Sequence, residues 1–386
     1  MIVLLMDTSK FKNQKYISYL IYLLPAALVS GPFLSDLFIS IVALYFIITT
    51  LKYKLWKYYN NIFFYAFVIF YIYIVIRSIL SINPYLSLES SLFYFRYIFF
   101  VMAVSFFIEN NKYFLNNFLV YLIFTLSALV ADTFLQYFTG YNVFGWPSYV
   151  SFDQFRVSSF FYDEYLLGNY LVAFIPVLLG TFFMSKKKKY QYIVFVLVFL
   201  SSVSVFMSGD RSSIFLNILS IILIIILLKS YKFHRLFLVI LFSLSILLVL
   251  FFSNEFREKI INNTLNDIGI GQDTQYIFSP QHESYLKSSY LMFKEKPFFG
   301  HGPKMYRELC KKKKYVRSSF KRKDICNTHP HNTYAQLLVE TGLFGLSFII
   351  MMFLFISWKL TKTLISKLRY RTPVEENILI FDGKTC

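Results

Sequence analysis

Two arginines and two histidines in this 386-residue chain have the types and settings that phosphate-linked chemistry requires. Arg211 lies in Ser208-Gly209-Asp210-Arg211-Ser212-Ser213, at the head of an apolar run that reads as a helix, where Asp210 or Ser208 can cap the first amides. A guanidinium beside a helix N-terminus suits phosphate oxygens; the plainer reading is an arginine that anchors the helix at the head-group layer. His331 lies in Thr328-His329-Pro330-His331-Asn332-Thr333-Tyr334, with Pro330 near a helix start. An imidazole held neutral there can take a proton from a hydroxyl near pH 7, the task of a general base; the plainer reading is an interfacial histidine bonded to backbone. The His-x-His pair invites a metal, but no carboxylate or cysteine accompanies it at ligand spacing, and Cys310, Cys326 and Cys386 are too scattered for a Cys-x-x-Cys site. No metal and no cofactor is expected. Paired acids of the glycosidase kind and a glycine-rich phosphate loop do not stand out either.

What joins Arg156, Arg211, His282 and His331 is topology. With 57% hydrophobic and 16% charged residues, against about a quarter charged in soluble domains, the chain divides into apolar runs of membrane-spanning length. The expected fold is an all-α polytopic membrane protein of about ten helices, at 17–33, 35–51, 61–80, 88–108, 114–138, 164–184, 190–207, 212–228, 236–252 and 336–357. Basic residues recur in every second connection: Lys10/Lys12/Lys15, Lys52/Lys54/Lys57, Lys112, Lys186 to Lys189, Lys229/Lys232/Arg235 and Lys359 to Arg371. By the positive-inside rule these face the cytoplasm, with the N-terminus, and the four candidate groups face outward. An apolar run behind the first lysines resembles a signal peptide, but the spans that follow favour an uncleaved helix. A net charge of +18 is then topology rather than nucleic-acid binding.

The organisation expected is 1–252 as helices one to nine, 253–335 as a large extracytoplasmic loop domain, 336–357 as helix ten and 358–386 as a cytoplasmic tail. The loop is long enough to carry function. Its clusters Lys311 to Lys314 and Lys321/Arg322/Lys323 suit anionic lipid head groups or a phosphorylated substrate, or are a solvated face. Cys310 and Cys326 flank these basic residues in what would be an oxidising compartment, so they are a disulfide candidate. Within the spans, Arg96 is deep enough to suggest a functional partner, Arg77 reads as a snorkelling side chain, and Asp132 is a buried carboxylate that an arginine could pair.

Several ordered segments resemble the O-antigen ligase and polymerase superfamily of bacterial membrane glycosyltransferases. His331-Asn332, Gln336, Leu337, Glu340-Thr341-Gly342-Leu343 and Gly345 look like its HN…Q…ETG..G segment. Ser208-Gly209-Asp210-Arg211-Ser212 is similar to its SGSRS segment, with Asp210 in place of serine. Pro297 to Pro303 resembles its P..G.GP turn, and Arg156 through Gly168, Tyr170-Leu171 and Pro176 its stretch before helix six. The family often has an arginine where this chain offers His282 or Lys287, which makes these second-tier candidates with Asn332. The resemblance covers about 150–360. The chain ends soon after Arg371, where members commonly continue, so a truncated, inactive copy is one expectation.

The resemblance implies a metal-independent, inverting glycosyltransferase in the bacterial inner membrane. Its donor would be a glycan on undecaprenyl diphosphate, and its acceptor a lipid A-core sugar or another lipid-linked glycan, both reached among membrane lipids. Arg211, Arg156 and Arg96 would bind the diphosphate, and His331 would deprotonate the acceptor. The ligase is favoured over the polymerase by the hallmark segment after one large loop. A lipid-linked sugar transporter would be expected to show internal repeats or broken helices around a midplane site, which the sequence does not display.

Overall fold

The computed structural model describes residues 14–151, 154–162, 164–185, 187–227, 233, 236–237, 239–244, 280–315 and 326–369. The expected span 236–252 lies mostly outside these residues, and Lys10, Lys12, the cluster Lys321/Arg322/Lys323 and the tail after Arg369 lie wholly outside them. Among the described residues the regular structure is helical apart from one hairpin, β1 (Tyr149–Ser151) antiparallel to β2 (Gln154–Arg156). Among the described residues seven helices are long and apolar enough to cross a membrane: Pro32–Tyr53, Ile62–Ile79, Pro84–Asn110, Phe114–Thr139, Leu167–Ser185, Lys188–Met207 and Thr333–Lys362. Two further expected spans are shorter helices, Gln14–Val29 and Arg211–Leu227.

The chain forms two compact units. The first comprises Met1–Ile48 and Phe100–Thr264. Its core packs α1 (Gln14–Val29), α6 (Phe114–Thr139), α7 (Leu167–Ser185), α8 (Gln191–Met207) and α9 (Arg211–Leu227). Leu122 and Leu126 of α6, Leu171, Ile175 and Leu178 of α7, and Phe195 and Val198 of α8 are buried together. Gly140 ends α6 in the left-handed region at φ 81°, the conformation glycine adopts without steric cost.

A buried polar network then ties the following loop back onto α6. Asp132 accepts from the Ser159 hydroxyl at 2.6 Å and the Val143 amide at 2.8 Å. Gln136 accepts from the amides of Ser158 and Ser159, and Asn142 accepts from those of Phe144 and Trp146. The arginine partner expected for Asp132 is therefore not what holds it: the loop's own hydroxyl and amide satisfy the carboxylate. Replacing Asp132 with alanine should leave two donors unpaired and cost about 2 kcal/mol or more. Asparagine, which keeps one acceptor, should cost less; equal thermal stability of the wild type and the alanine variant would contradict this account.

The second unit comprises Thr49–Phe99 and Leu265–Cys386. It contains α3 (Ile62–Ile79), α4 (Pro84–Ser91), α10 (Pro280–Glu295), the short α11 (Tyr306–Leu309) and α12 (Thr333–Arg369). Asn61 caps α3 and Asn83 caps α4, the latter with Pro84 in the first helical position. Aromatic pairs Phe63–Phe355, Phe70–Phe348 and Tyr73–Phe344 run in opposite chain order, so α3 and α12 are antiparallel. The expected span 88–108 is composite: α4 passes through a tight turn at Leu92–Tyr94 into α5 (Phe95–Asn110).

Candidate functional site

In the first unit, α8 ends at Met207 and Gly209, at φ 63°, turns the chain into α9. Asp210 is the cap: its Oδ1 accepts from the Ser212 amide at 3.2 Å and the Ser212 hydroxyl at 2.9 Å, and its other oxygen accepts from Ser213. The corner sits against the start of α7, where a Cβ on Gly168 would lie 2.7 Å from the Ser208 hydroxyl and 2.8 Å from that of Ser213. Ser213 also lies 3.0 Å from Asn169 Oδ1. Arg211 is the first residue of α9 and is half-buried. The Ser212 amide is thus already served by the carboxylate of Asp210, whose negative charge also opposes an anion at the helix terminus. What the corner offers an anion is the Arg211 side chain rather than the helix terminus itself.

Arg156 closes β2, with its guanidinium 4.6 Å from the ring centre of Tyr165, a cation–π contact. Its Nε is buried without a hydrogen-bond partner among the described residues. Arg156 and the Arg211 corner are both supported by the short segment from Tyr165 to Asn169.

In the second unit, His331 precedes α12 in the left-handed region at φ 52°. Asn332 is the helix cap, its Oδ1 accepting from the Ala335 amide at 2.9 Å, which gives this second-tier candidate a structural task. The His331 ring lies 4.4 Å from that of His329, 5.2 Å from Tyr285 and 6.5 Å from His282. Its Nε2 is 2.8 Å from Asn327 Nδ2. Partial burial, then the neighbouring His329 and His282, push the His331 pKa below the usual imidazole value. The neutral form expected of a base is therefore favoured by desolvation and neighbouring imidazoles.

Lys287 is paired with Glu283 one turn away on α10, and Arg96 donates to the hydroxyl of Tyr97 at 3.2 Å. Cys310 and Cys326 are joined as a disulfide. The lysine cluster is partly neutralised. Lys311 pairs with Glu308 at 2.7 Å and Lys314 with Glu295 at 2.6 Å. Hydrogen bonds from Lys314 and Tyr315 hold the Glu295 carboxyl down at about 2. No group of three or more His, Cys, Asp or Glu that could hold a metal ion occurs among the described residues.

Beneath His331, the Pro297–Pro303 turn is seated in a break of α12. At Gly342 (φ 62°, ψ −166°) the helix is interrupted. The Leu343 amide donates to Pro297 O at 2.8 Å and the Phe344 amide to Phe298 O at 3.1 Å. In return the amides of His301 and Gly302 donate to Val339 O at 2.9 Å and Glu340 O at 2.8 Å. The Tyr73 hydroxyl is shared between Thr341 O at 2.6 Å and Phe299 O at 3.0 Å. Arg77 donates to Gly300 O at 2.6 Å, so it does not snorkel; it satisfies a backbone carbonyl of the irregular Pro297–Pro303 turn. His301 is buried, and its Nε2 donates to Met292 O at 2.9 Å, which locks the turn to α10. Burial pushes its pKa down.

The segments carrying Arg211, the glycine turn and His331 fall in one continuous stretch. Residues 195–350 match the O-antigen ligase family. That match includes three of the four segments on which the resemblance rested, the exception being the stretch from Arg156 to Pro176, and it supports the ligase and polymerase superfamily. Members of this family are glycosyltransferase-like ligases or polymerases acting on lipid-linked glycans. With its apolar helices, the match places the chain among multi-pass bacterial membrane proteins. No curated protein matches the chain. Asn327, Tyr285, Tyr73 and His301 carry contacts that the motifs did not disclose, because each acts through a residue distant in sequence or through its own turn.

Proposed function

We propose that this chain is an O-antigen ligase of the inner membrane, transferring a glycan from undecaprenyl diphosphate to a lipid A-core sugar at the periplasmic face. The observation that carries the reading is the O-antigen ligase match over 195–350, which includes both Arg211 and His331. The side chain of His331, with its lowered pKa, takes the proton of the acceptor hydroxyl. The acceptor oxygen bonds to the anomeric carbon as the carbon–oxygen bond to the diphosphate breaks, and the bonding pair leaves with the phosphate oxygen. A single displacement of this kind inverts the anomeric centre. Arg211 and Arg156, with Arg96, counter the charge that grows on the leaving diphosphate, so no metal is required. The alternation of basic connections supports a large loop on the periplasmic side.

The test is expression in cells that make lipid-linked O-antigen but lack their own ligase. Glycan appearing on lipid A-core is expected. Longer lipid-linked chains in cells lacking a polymerase, with lipid A-core unmodified, would make the enzyme a polymerase. Stable insertion without transfer in either strain would refute the transferase reading.

A further inference from the structure

The hydrogen bonds around Asn327 decide which nitrogen of His331 carries its proton. Asn327 Oδ1 accepts from the Thr328 backbone amide at 2.7 Å, a group that can only donate. That fixes the orientation of the side-chain amide and leaves Nδ2, also only a donor, facing His331 Nε2 at 2.8 Å. Nε2 must then be the acceptor, and neutral His331 carries its proton on Nδ1. The residue before Asn327 is Cys326, tied to Cys310, whose backbone amide donates to Tyr306 O and which is buried in the core containing Met292, Tyr306 and Val339. The amide that meets His331 is thus anchored to that core through one covalent link.

We infer that Asn327, anchored by the Cys310–Cys326 disulfide, is a positioning residue that holds His331 neutral and reserves its Nε2 lone pair for the acceptor hydroxyl. The inference rests on the reading of His331 as the base. A proton arriving on Nε2 would meet the Asn327 N–H donor to donor, so the charged imidazolium is disfavoured until Asn327 yields to the substrate oxygen. The other groups facing this imidazole act in the same direction or are neutral. His282 and Tyr285 approach from α10 and His329 from its own loop, while the charges of Glu283 and Lys287 on α10 are paired with each other.

The test follows carbethoxylation of each histidine by diethyl pyrocarbonate in membranes containing the full chain, read by peptide mass spectrometry from pH 5 to 8. Asn327→Ala uncovers Nε2, and His331 should react about fivefold faster at pH 7, the equivalent of one hydrogen bond, with His282 and His329 changing less. Asn327→Asp replaces the donor by a carboxylate, and the midpoint of His331 reactivity should move to higher pH by about one unit, the acid limb of the transfer rate moving with it. Reduction of the disulfide should reproduce the alanine result. Unchanged His331 rates and midpoints in both variants would overturn the role of Asn327, and an unchanged rate on reduction would overturn that of the disulfide. Transfer by His331→Ala equal to wild type would instead remove the base reading, whatever the Asn327 variants show.

Discussion

Gly342→Ala is expected to lower the stability of the second unit by about 3 kcal/mol or more, enough to remove most folded protein from a marginal membrane domain. Its φ of 62° and ψ of −166° lie in a region essentially reserved for glycine. A Cβ there would also overlap the Phe298 carbonyl and come within 2.6 Å of the Gly300 amide nitrogen. The side chain cannot be accommodated by a rotamer change, because both obstacles are backbone. Moving them breaks the Leu343 to Pro297 and Phe344 to Phe298 hydrogen bonds, each leaving a polar group unpaired in surroundings poor in water. Gly180→Ala is the control: a Cβ there meets nothing within 4 Å, and alanine favours a helix interior. Heating detergent-solubilised protein and following its monodisperse fraction should separate the two variants clearly. Similar melting of Gly342→Ala and wild type would mean that the seat of the turn is not a fixed feature of the fold.

His331→Ala is expected to lower the rate of transfer by about 10²- to 10⁴-fold, the usual worth of a positioned general base. The loss should fall on kcat more than on KM, since the proton moves only in the transition state. Arg211→Ala should cost about 10²- to 10³-fold through the lost stabilisation of the leaving diphosphate. Arg211→Lys should recover only part of this, because an ammonium keeps the charge but not the forked geometry. Asp210 sharpens the expectation for Arg211. Its carboxylate already accepts from the Ser212 amide and from the Ser212 and Ser213 hydroxyls, and its negative charge opposes an anion at the helix terminus, so the guanidinium must do the holding. Asp210→Ser, the residue more usual in the family's segment, should therefore strengthen donor binding if the corner keeps its fold.

The positions of most helices were legible because spans, caps and glycine stops are local signals. Asp210 was read as a cap and acts as one, whereas the helix start at Asn83-Pro84 lay within a segment read as a connection, and the span expected from 88 begins at Pro84. Boundaries shifted where irregular backbone intervened. The helix expected from 164 begins at Leu167, because the tight turn Ser159–Phe161 and Tyr162 at φ 55° occupy the approach. The helix expected from 336 begins at Thr333, because Asn332 caps it.

What the sequence could not disclose was long-range pairing. Arg77 read as a snorkelling side chain and Tyr73 as one aromatic of an apolar span, yet they serve carbonyls more than two hundred residues away. Pro297 to Pro303 was recognisable as a motif, but its seat at Gly342 depends on two backbones meeting. His331 was singled out from its type and its place before a helix; Asn327, which decides its tautomer, was visible only as one polar residue in a loop.

The most direct test of the central claim is glycan transfer by purified, membrane-reconstituted protein from a defined lipid-linked glycan to lipid A-core, comparing wild type with His331→Ala and Arg211→Ala of equal thermal stability. Transfer by the wild type without added metal, with each variant reduced at least a hundredfold, is the predicted result. Full transfer by either variant would contradict the role assigned to that residue, and full transfer by both would mean that the reaction is carried out elsewhere in the molecule.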